Sequence, residues 1–361
     1  MLPLAPDAAL RHAGFFLALA LLSALCVRLA IAWRILDVPN HRSAHARPIP
    51  KGGGLGVVVA TLVGLLIQYR FATLARLDDP YFLAVIVGAA AIAAVSLADD
   101  ILSFRQHWKL LAQVAAAIAP LPWGLAIDTL SLPWIGPVPL GPLAWPLTVL
   151  WVVFLTNAMN FIDGLDGMCA GIALVAALFL AALALAEGGA FVYVAALSLA
   201  AGCAGFLPFN VPRAQIFLGD VGSQFIGYLF AILGIAAARF DQARVSLYIV
   251  PLLLAVPIFD VAFTLIRRAL AGERLAEAHR GHLYQVLART GVPPLAVSAL
   301  SVGMTAVLGL VAFRFVALSP PAKLAVVAGV VAALALYAAW VAWRARRAGL
   351  TSWSGVSPAR R

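Results

Sequence analysis

The chain has 361 residues, of which 64% are hydrophobic and only 11% charged, against about 25% charged in ordinary soluble domains. That balance excludes a soluble globular protein and a disordered chain. The formal net charge of +10 does not mark a nucleic-acid binder either, because the basic residues fall in short loops between apolar runs and form no groove-sized patch.

A bilayer-crossing helix needs about 20 mostly apolar residues, and eleven such stretches occur in chain order. The first, 14–34, is longer than a signal-peptide core and reads as an uncleaved helix. It is followed by 54–71, 81–98, 108–126, 140–160, 167–186 and 190–207, then by 222–238, 246–268, 293–313 and 322–343. Pro120 and Pro122 fall late in the fourth and Pro251 and Pro257 within the ninth, where the lost backbone donor predicts kinks. Cys26, Cys169 and Cys203 all lie inside apolar runs and read as small buried hydrophobes, not as a disulfide framework. The expected fold is an all-α polytopic integral membrane protein of about eleven transmembrane helices. A single transmembrane domain occupies 1–343, and 344–361 form a basic tail.

The loops are not alike. One side, comprising Arg34 with 35–53, 99–109, 161–166, 208–221, 267–292 and the C-terminus, carries 17 Lys and Arg, and the other carries 7. The positive-inside rule puts the first side in the cytoplasm, with the N-terminus outside and the C-terminus inside. Five of the six histidines fall on or beside the same loops. That segregation predicts one functional surface, facing the cytoplasm.

Four polar constellations lie on that surface. Asp99 and Asp100 end the third span, where adjacent carboxylates repel unless a cation compensates, and Lys109 begins the next span. Asn157 and Asn160 share a helix face, followed by Asp163, Gly164, Asp166 and Gly167 in a tight turn. Gly219, Asp220, Gly222 and Ser223 open the eighth span, where a helix N-terminus favours anions. His279, Arg280, Gly281 and His282 stand in the most basic loop; without cysteines beside them they suit phosphate better than zinc. A fifth segment, Asn40 to Gly54, combines His45, Arg47 and Lys51 with three consecutive glycines. Carboxylates for a hard cation, basic groups for phosphate and flexible glycines together predict phosphoryl transfer, and the absence of a soluble domain predicts a lipid substrate.

In order and spacing these motifs resemble those of the polyprenyl-phosphate N-acetylhexosamine-1-phosphate transferase superfamily, from about residue 36 to 290. The segment from Asn40 to Gly54 and the stretch from Glu277 to Gln285 are most like those of the enzymes that initiate O-antigen synthesis. The resemblance implies transfer of a sugar-1-phosphate from a UDP-N-acetylhexosamine to undecaprenyl phosphate in the bacterial inner membrane, with Mg²⁺ as cofactor and Mn²⁺ able to replace it. It implies a catalytic set of Asp99, Asp100 and Asp163, and Asn160 with Asp220 as metal ligands. Asp166, Gly164 and Leu165 would meet the uracil edge, and Phe217 would stack on it. His279, Arg280 and His282 would bind phosphate or sugar, and Lys109 and Asn210 would contact phosphates. Asn157, His45 and Arg47 complete the expected substrate contacts. Membrane lipid is an expected partner, nucleic acid is not, and a homodimer is compatible with the sequence. In the peptidoglycan-precursor branch a run of three histidines stands where this chain has Arg280, Gly281 and His282, which argues against that reaction. The competing class is a transporter, in which an intramembrane Asp260 and broken helices would serve transport.

Overall fold

The computed structural model describes residues 6–33, 36–37, 48–72, 79–102, 104–132, 135–239, 247–275, 279–350 and 353. Helices α1 (Pro6–Trp33), α2 (Gly54–Phe71), α3 (Asp79–Leu102), α4 (Gln106–Ile118) and α5 (Ala144–Phe161) form the first half. The second half contains α6 (Met168–Glu187), α7 (Ala190–Phe206), α8 (Gly219–Arg239), α9 (Ile249–Leu253) and α10 (Ala255–Leu270), then α11 (Leu283–Arg289), α12 (Pro294–Phe315) and α13 (Pro320–Arg347). Two short antiparallel pairs interrupt the helices: β1 (Leu36–Asp37) with β2 (Ile49–Pro50), and β3 (Thr129–Leu132) with β4 (Gly136–Pro139).

Among the described residues, nine helices are long and apolar enough to cross a membrane, namely α1, α2, α3, α5, α6, α7, α8, α12 and α13. They account for nine of the eleven expected spans, and the all-α polytopic class holds. The other two differ for a local reason. α4 stops at Ile118, before Pro120, so its 13 residues reach only about 20 Å against a hydrocarbon core of about 30 Å. The ninth stretch breaks at Leu254 into α9 and α10, with Pro251 in one piece and Pro257 in the other. In both places proline withholds a helix hydrogen bond.

α8 is the axis of the bundle. From Phe225 to Ala238 it is apolar all round, 94% of its apolar stretch is buried, and α2, α3 and α5 pack directly on it. α7 joins α1, α2 and α6 in a second group, and α12 lies on α6. At the periphery α1 presents Leu17, Leu21, Leu25 and Leu29 outward, all more than half exposed. A stripe of that kind would be an aggregation hazard in water, and it matches lipid. Small residues set the closest approach. A Cβ on Gly54 would collide with the Gly222 backbone, and one on Gly227 would lie 2.5 Å from the Leu155 carbonyl oxygen. Close packing of α2 and α5 against α8 brings several helix ends to one pole.

Candidate active site

At that pole the C-terminal ends of α3 and α5 meet the N-terminal ends of α2, α4 and α8. Backbone bonds fasten the arrangement. Gly53 and Gly54 N–H donate to the carbonyls of Phe217 and Leu218 at 2.9 and 2.8 Å, and Phe217 N–H donates to Pro50 O at 2.8 Å. Gly219 then turns the chain into α8 with φ of +77°. A Cβ there would lie 2.7 Å from Asp100 Oδ2, so glycine is required both for the dihedral and for the carboxylate beside it.

Lys109, in the first turn of α4, is the electrostatic centre. Its Nζ pairs with Asp99 and lies 2.8 Å from Asp220 Oδ2. Asp99 Oδ1 also accepts the Phe104 N–H at 2.7 Å, which holds the bend between α3 and α4. Asp100 Oδ2 accepts the Val221 N–H at 3.2 Å, capping the start of α8, and Lys51 Nζ lies 3.7 Å from its other oxygen. Asp99 and Asp100 are buried, whereas Lys109 and Asp220 each keep 26% of the side chain exposed. The cluster therefore opens to solvent at Lys109 and Asp220.

Asn160 Nδ2 donates to Asp220 Oδ1 and to Ser223 Oγ, both at 2.9 Å. Behind them a buried polar ladder climbs one turn into the bundle. Gln224 Nε2 donates to Asp220 Oδ2 at 3.1 Å, Gln113 Nε2 to Gln224 Oε1 at 2.9 Å, and Asn157 Nδ2 to Gln113 Oε1 at 2.6 Å. A chain of amides satisfied in this way holds Asp220 in one orientation.

The turn 162–167 is laced to the loop before α8. Asp166 Oδ2 accepts the Ala214 N–H at 2.9 Å, Asn210 Oδ1 accepts the Gly167 N–H at 2.6 Å, and Asn210 Nδ2 donates to Ile216 O at 3.0 Å. Asp163 is partly buried in the same turn. Loss of water around it, then the negative charges of Asp220 and Asp100, push its carboxyl up to about 8. Four carboxylates, Asp99, Asp100, Asp163 and Asp220, share this pole with Lys109 and Lys51. Burial is the larger cause of the raised value at Asp163, and the two neighbouring carboxylates add to it. Among the described residues no three His, Cys, Asp or Glu side chains form a metal cage of their own. Mg²⁺ does not need one, because it usually takes one or two protein carboxylates and completes its shell with phosphate oxygens and water.

The histidine motif is built against the same turn from the other side. Asp260, buried on α10, accepts from His282 Nδ1 at 3.1 Å and from the Leu283 and Tyr284 N–H groups at 3.0 and 3.2 Å. It thereby caps α11 and orients the His282 ring. Tyr284 Oη donates to Phe161 O at 2.9 Å and fills the space where a side chain at Gly164 would stand. The rings of His279 and His282 stack at 4.8 Å, with Phe161 5.6 Å from His282.

Known proteins of like sequence point the same way. The profile of glycosyl transferase family 4 matches residues 82–238. A probable undecaprenyl-phosphate N-acetylglucosaminyl 1-phosphate transferase of Bacillus subtilis is 33% identical over 277 residues, 76% of each chain. A decaprenyl-phosphate N-acetylglucosaminephosphotransferase of Mycolicibacterium smegmatis is 31% identical over 287 residues, 73% of this chain and 71% of the other. The chain belongs to the polyprenyl-phosphate hexosamine-phosphate transferase superfamily. A phospho-N-acetylmuramoyl-pentapeptide-transferase of Synechococcus, from another branch, is 35% identical over 223 residues, 58% of this chain.

Within this transferase, most of the sequence-predicted residues converge. Asp99, Lys109, Asn157, Asn160 and Asp220 form one connected group through the contacts above with Gln113 and Gln224, Asp100 caps α8 beside it, and Asp163, Gly164, Leu165, Asp166 and Asn210 lie in the adjoining turn and loop. Phe217 sits at the stitch between β2 and α8 and is partly buried. His279 and Arg280 are partly exposed, while His282 is buried. His45 and Arg47 lie outside the described residues. Three residues escaped the sequence reading. Gln113 and Gln224 stand four residues after Lys109 and Asp220, one helical turn along the same faces, and that spacing was the available signal. Asp260 was assigned to a transporter reading, yet it anchors the histidine motif.

Proposed function

We propose that the transferase moves an N-acetylhexosamine-1-phosphate from a UDP-sugar to undecaprenyl phosphate, releasing UMP and forming the lipid diphosphate sugar. The observation that carries this reading is the meeting of Asp99, Asp100, Asp163, Asp220 and Lys109 at one pole of a membrane bundle. The names of the relatives support it. A phosphate oxygen of the lipid attacks the sugar-linked phosphorus. The bond from that phosphorus to the bridging oxygen breaks, and UMP leaves with the electron pair. Asp99 and Asp100 orient the lipid phosphate and take its proton. Lys109, held between two carboxylates, faces the opening and neutralises transferring phosphate oxygens. Asp166 and the turn around it meet the base, and His279, Arg280 and His282 meet phosphate or sugar.

The hard oxygen donors and the surplus of carboxylates at this pole fit Mg²⁺, with Asp220 and Asn160 as its holders. When bound it supplies charge neutralisation to the phosphates. The basic asymmetry of 17 to 7 supports a cytoplasmic site in the inner membrane, with the C-terminus inside. The product would initiate O-antigen or a related surface polysaccharide. The test is UMP release from purified protein with undecaprenyl phosphate and a panel of UDP-N-acetylhexosamines, with Mg²⁺ or with chelator. Release from a UDP-N-acetylhexosamine only when metal is present supports the reading. No release from any of them, or release from the muramoyl-pentapeptide donor alone, overturns it.

A further inference from the structure

The two ends of the histidine motif are held differently. His282 is held by Asp260 through its ring, and its backbone N–H donates to Gln285 Oε1 at 3.3 Å in a capping box. The 280–281 end instead adjoins two cations, one bonded to it and one packed beside it. Arg289 Nη1 donates to the Arg280 carbonyl at 3.3 Å. The Arg267 guanidinium lies so close to Gly281 that a Cβ there would be 2.9 Å from its Nη2. Arg267 is itself weakly anchored. Glu273 stands 3.8 Å from its Nη1, and its buried Nε and Nη2 have no hydrogen-bond partner among the described residues.

One residue from beyond α13 touches both cations. The Trp353 ring covers the Arg267 guanidinium at 5.2 Å and faces the Phe263 ring at 6.1 Å, and the Trp353 carbonyl accepts from Arg289 Nη1 at 2.9 Å. The same Arg289 nitrogen thus bonds the tail and the motif, and the indole supplies the face that Arg267 otherwise lacks. Leu350 and Trp353 are partly buried and pack against the core, so the indole is seated rather than laid on the surface.

We infer that Trp353 is a positioning residue, strapping the 279–281 end of the histidine motif through Arg267 and Arg289 so that His279 and Arg280 are presented to the UDP-sugar. The structural half of this inference stands on geometry alone; the UDP-sugar half rests on the transferase reading. A cation over an indole face is worth about 0.5–2 kcal/mol, or about 2- to 30-fold in an equilibrium.

The test uses the full chain in detergent. Trypsin cleavage after Arg280, followed by mass spectrometry, reads the order of the loop without reference to turnover. Trp353→Ala should speed that cleavage several-fold, with only a small fall in melting temperature and no faster cleavage at other sites, and Trp353→Phe should restore most of the protection. Equal cleavage rates in wild type and Trp353→Ala overturn the strap. A matching fall in melting temperature with faster cleavage at every site also overturns it, by making the effect one of general stability. In turnover, Trp353→Ala should raise KM for the UDP-sugar about 3- to 10-fold, with kcat and KM for the lipid phosphate held within about twofold. A lowered KM would reverse the inference and make the tail an obstruction to substrate. If wild-type protein turns over no UDP-sugar, the transferase reading falls, and the cleavage result still decides whether the strap exists.

Discussion

Lys109 Nζ lies 2.8 Å from Asp220 Oδ2, a contact between residues 111 positions apart that joins the first turn of α4 to the first turn of α8. Because Nζ also pairs with Asp99, one cation bridges two carboxylates at the open edge of the site and neutralises only half of their charge. Lys109→Met should leave both carboxylates without their cation. Turnover should fall at least 100-fold, and stability in detergent by about 1–3 kcal/mol, less than for a fully buried pair because Lys109 and Asp220 are partly exposed. Asp220→Asn keeps the shape, so it should fold normally and lose most turnover even at saturating Mg²⁺. Near-normal turnover in either variant removes that residue from the site.

Asp163 gives a pH signature. Its folded-state value of about 8 lies above that of the unfolded chain, about 3.9. The folded protein therefore holds a proton that the unfolded chain has released. Its stability without metal should fall as pH rises from about 4 to about 8, by at most about 1.4 kcal/mol per pH unit, and level off above. Asp163→Asn should make that slope shallower in melting curves recorded with chelator, by removing the Asp163 contribution. Mg²⁺ held as proposed by Asp220 and Asn160 would oppose that proton electrostatically, so apparent Mg²⁺ affinity should climb across this range and flatten beyond it.

Asp99 and Asp166 are assigned to different substrates. Asp99 stands beside Lys109 at the end of a membrane helix, whereas Asp166 sits in the turn tied to Ala214. Asp166→Ala should weaken UMP binding by about 10- to 150-fold, the cost of one hydrogen bond to a charged group. Asp99→Asn should bind UMP within a few-fold of wild type and lose about 100- to 10,000-fold in turnover. Calorimetry with UMP beside turnover measurements separates the two, and the reverse pattern exchanges their roles.

Topology is checked by single cysteines introduced after Cys26, Cys169 and Cys203 are replaced. A cysteine at 272–275 should react with an impermeant reagent only from the cytoplasmic side, and one at 136–139 only from outside. Labelling from the opposite sides would invert the orientation and separate the site from cytoplasmic UDP-sugars.

What the sequence determined by itself is what short-range chemistry controls. A run of about 20 apolar residues crosses a bilayer wherever its neighbours lie, so nine spans were legible as written. The motif carboxylates were legible because Asp99, Asp163 and Asp220 stand at the ends of such runs, where charge has a reason to be. Proline marked the places where α4 stops short and where α9 and α10 part, but not how much helix survives beside each break. Only the tertiary structure decided the pairings: Lys109 with Asp220 rather than Asp99 alone, Gln113 with Asn157 and Gln224, Asp260 with His282, Trp353 with Arg267. These contacts join residues far apart in the chain, and they depend on how closely helices approach. That approach is set by close contacts such as those at Gly54, Gly222 and Gly227 against neighbouring backbones, a property of two surfaces together that neither segment states alone.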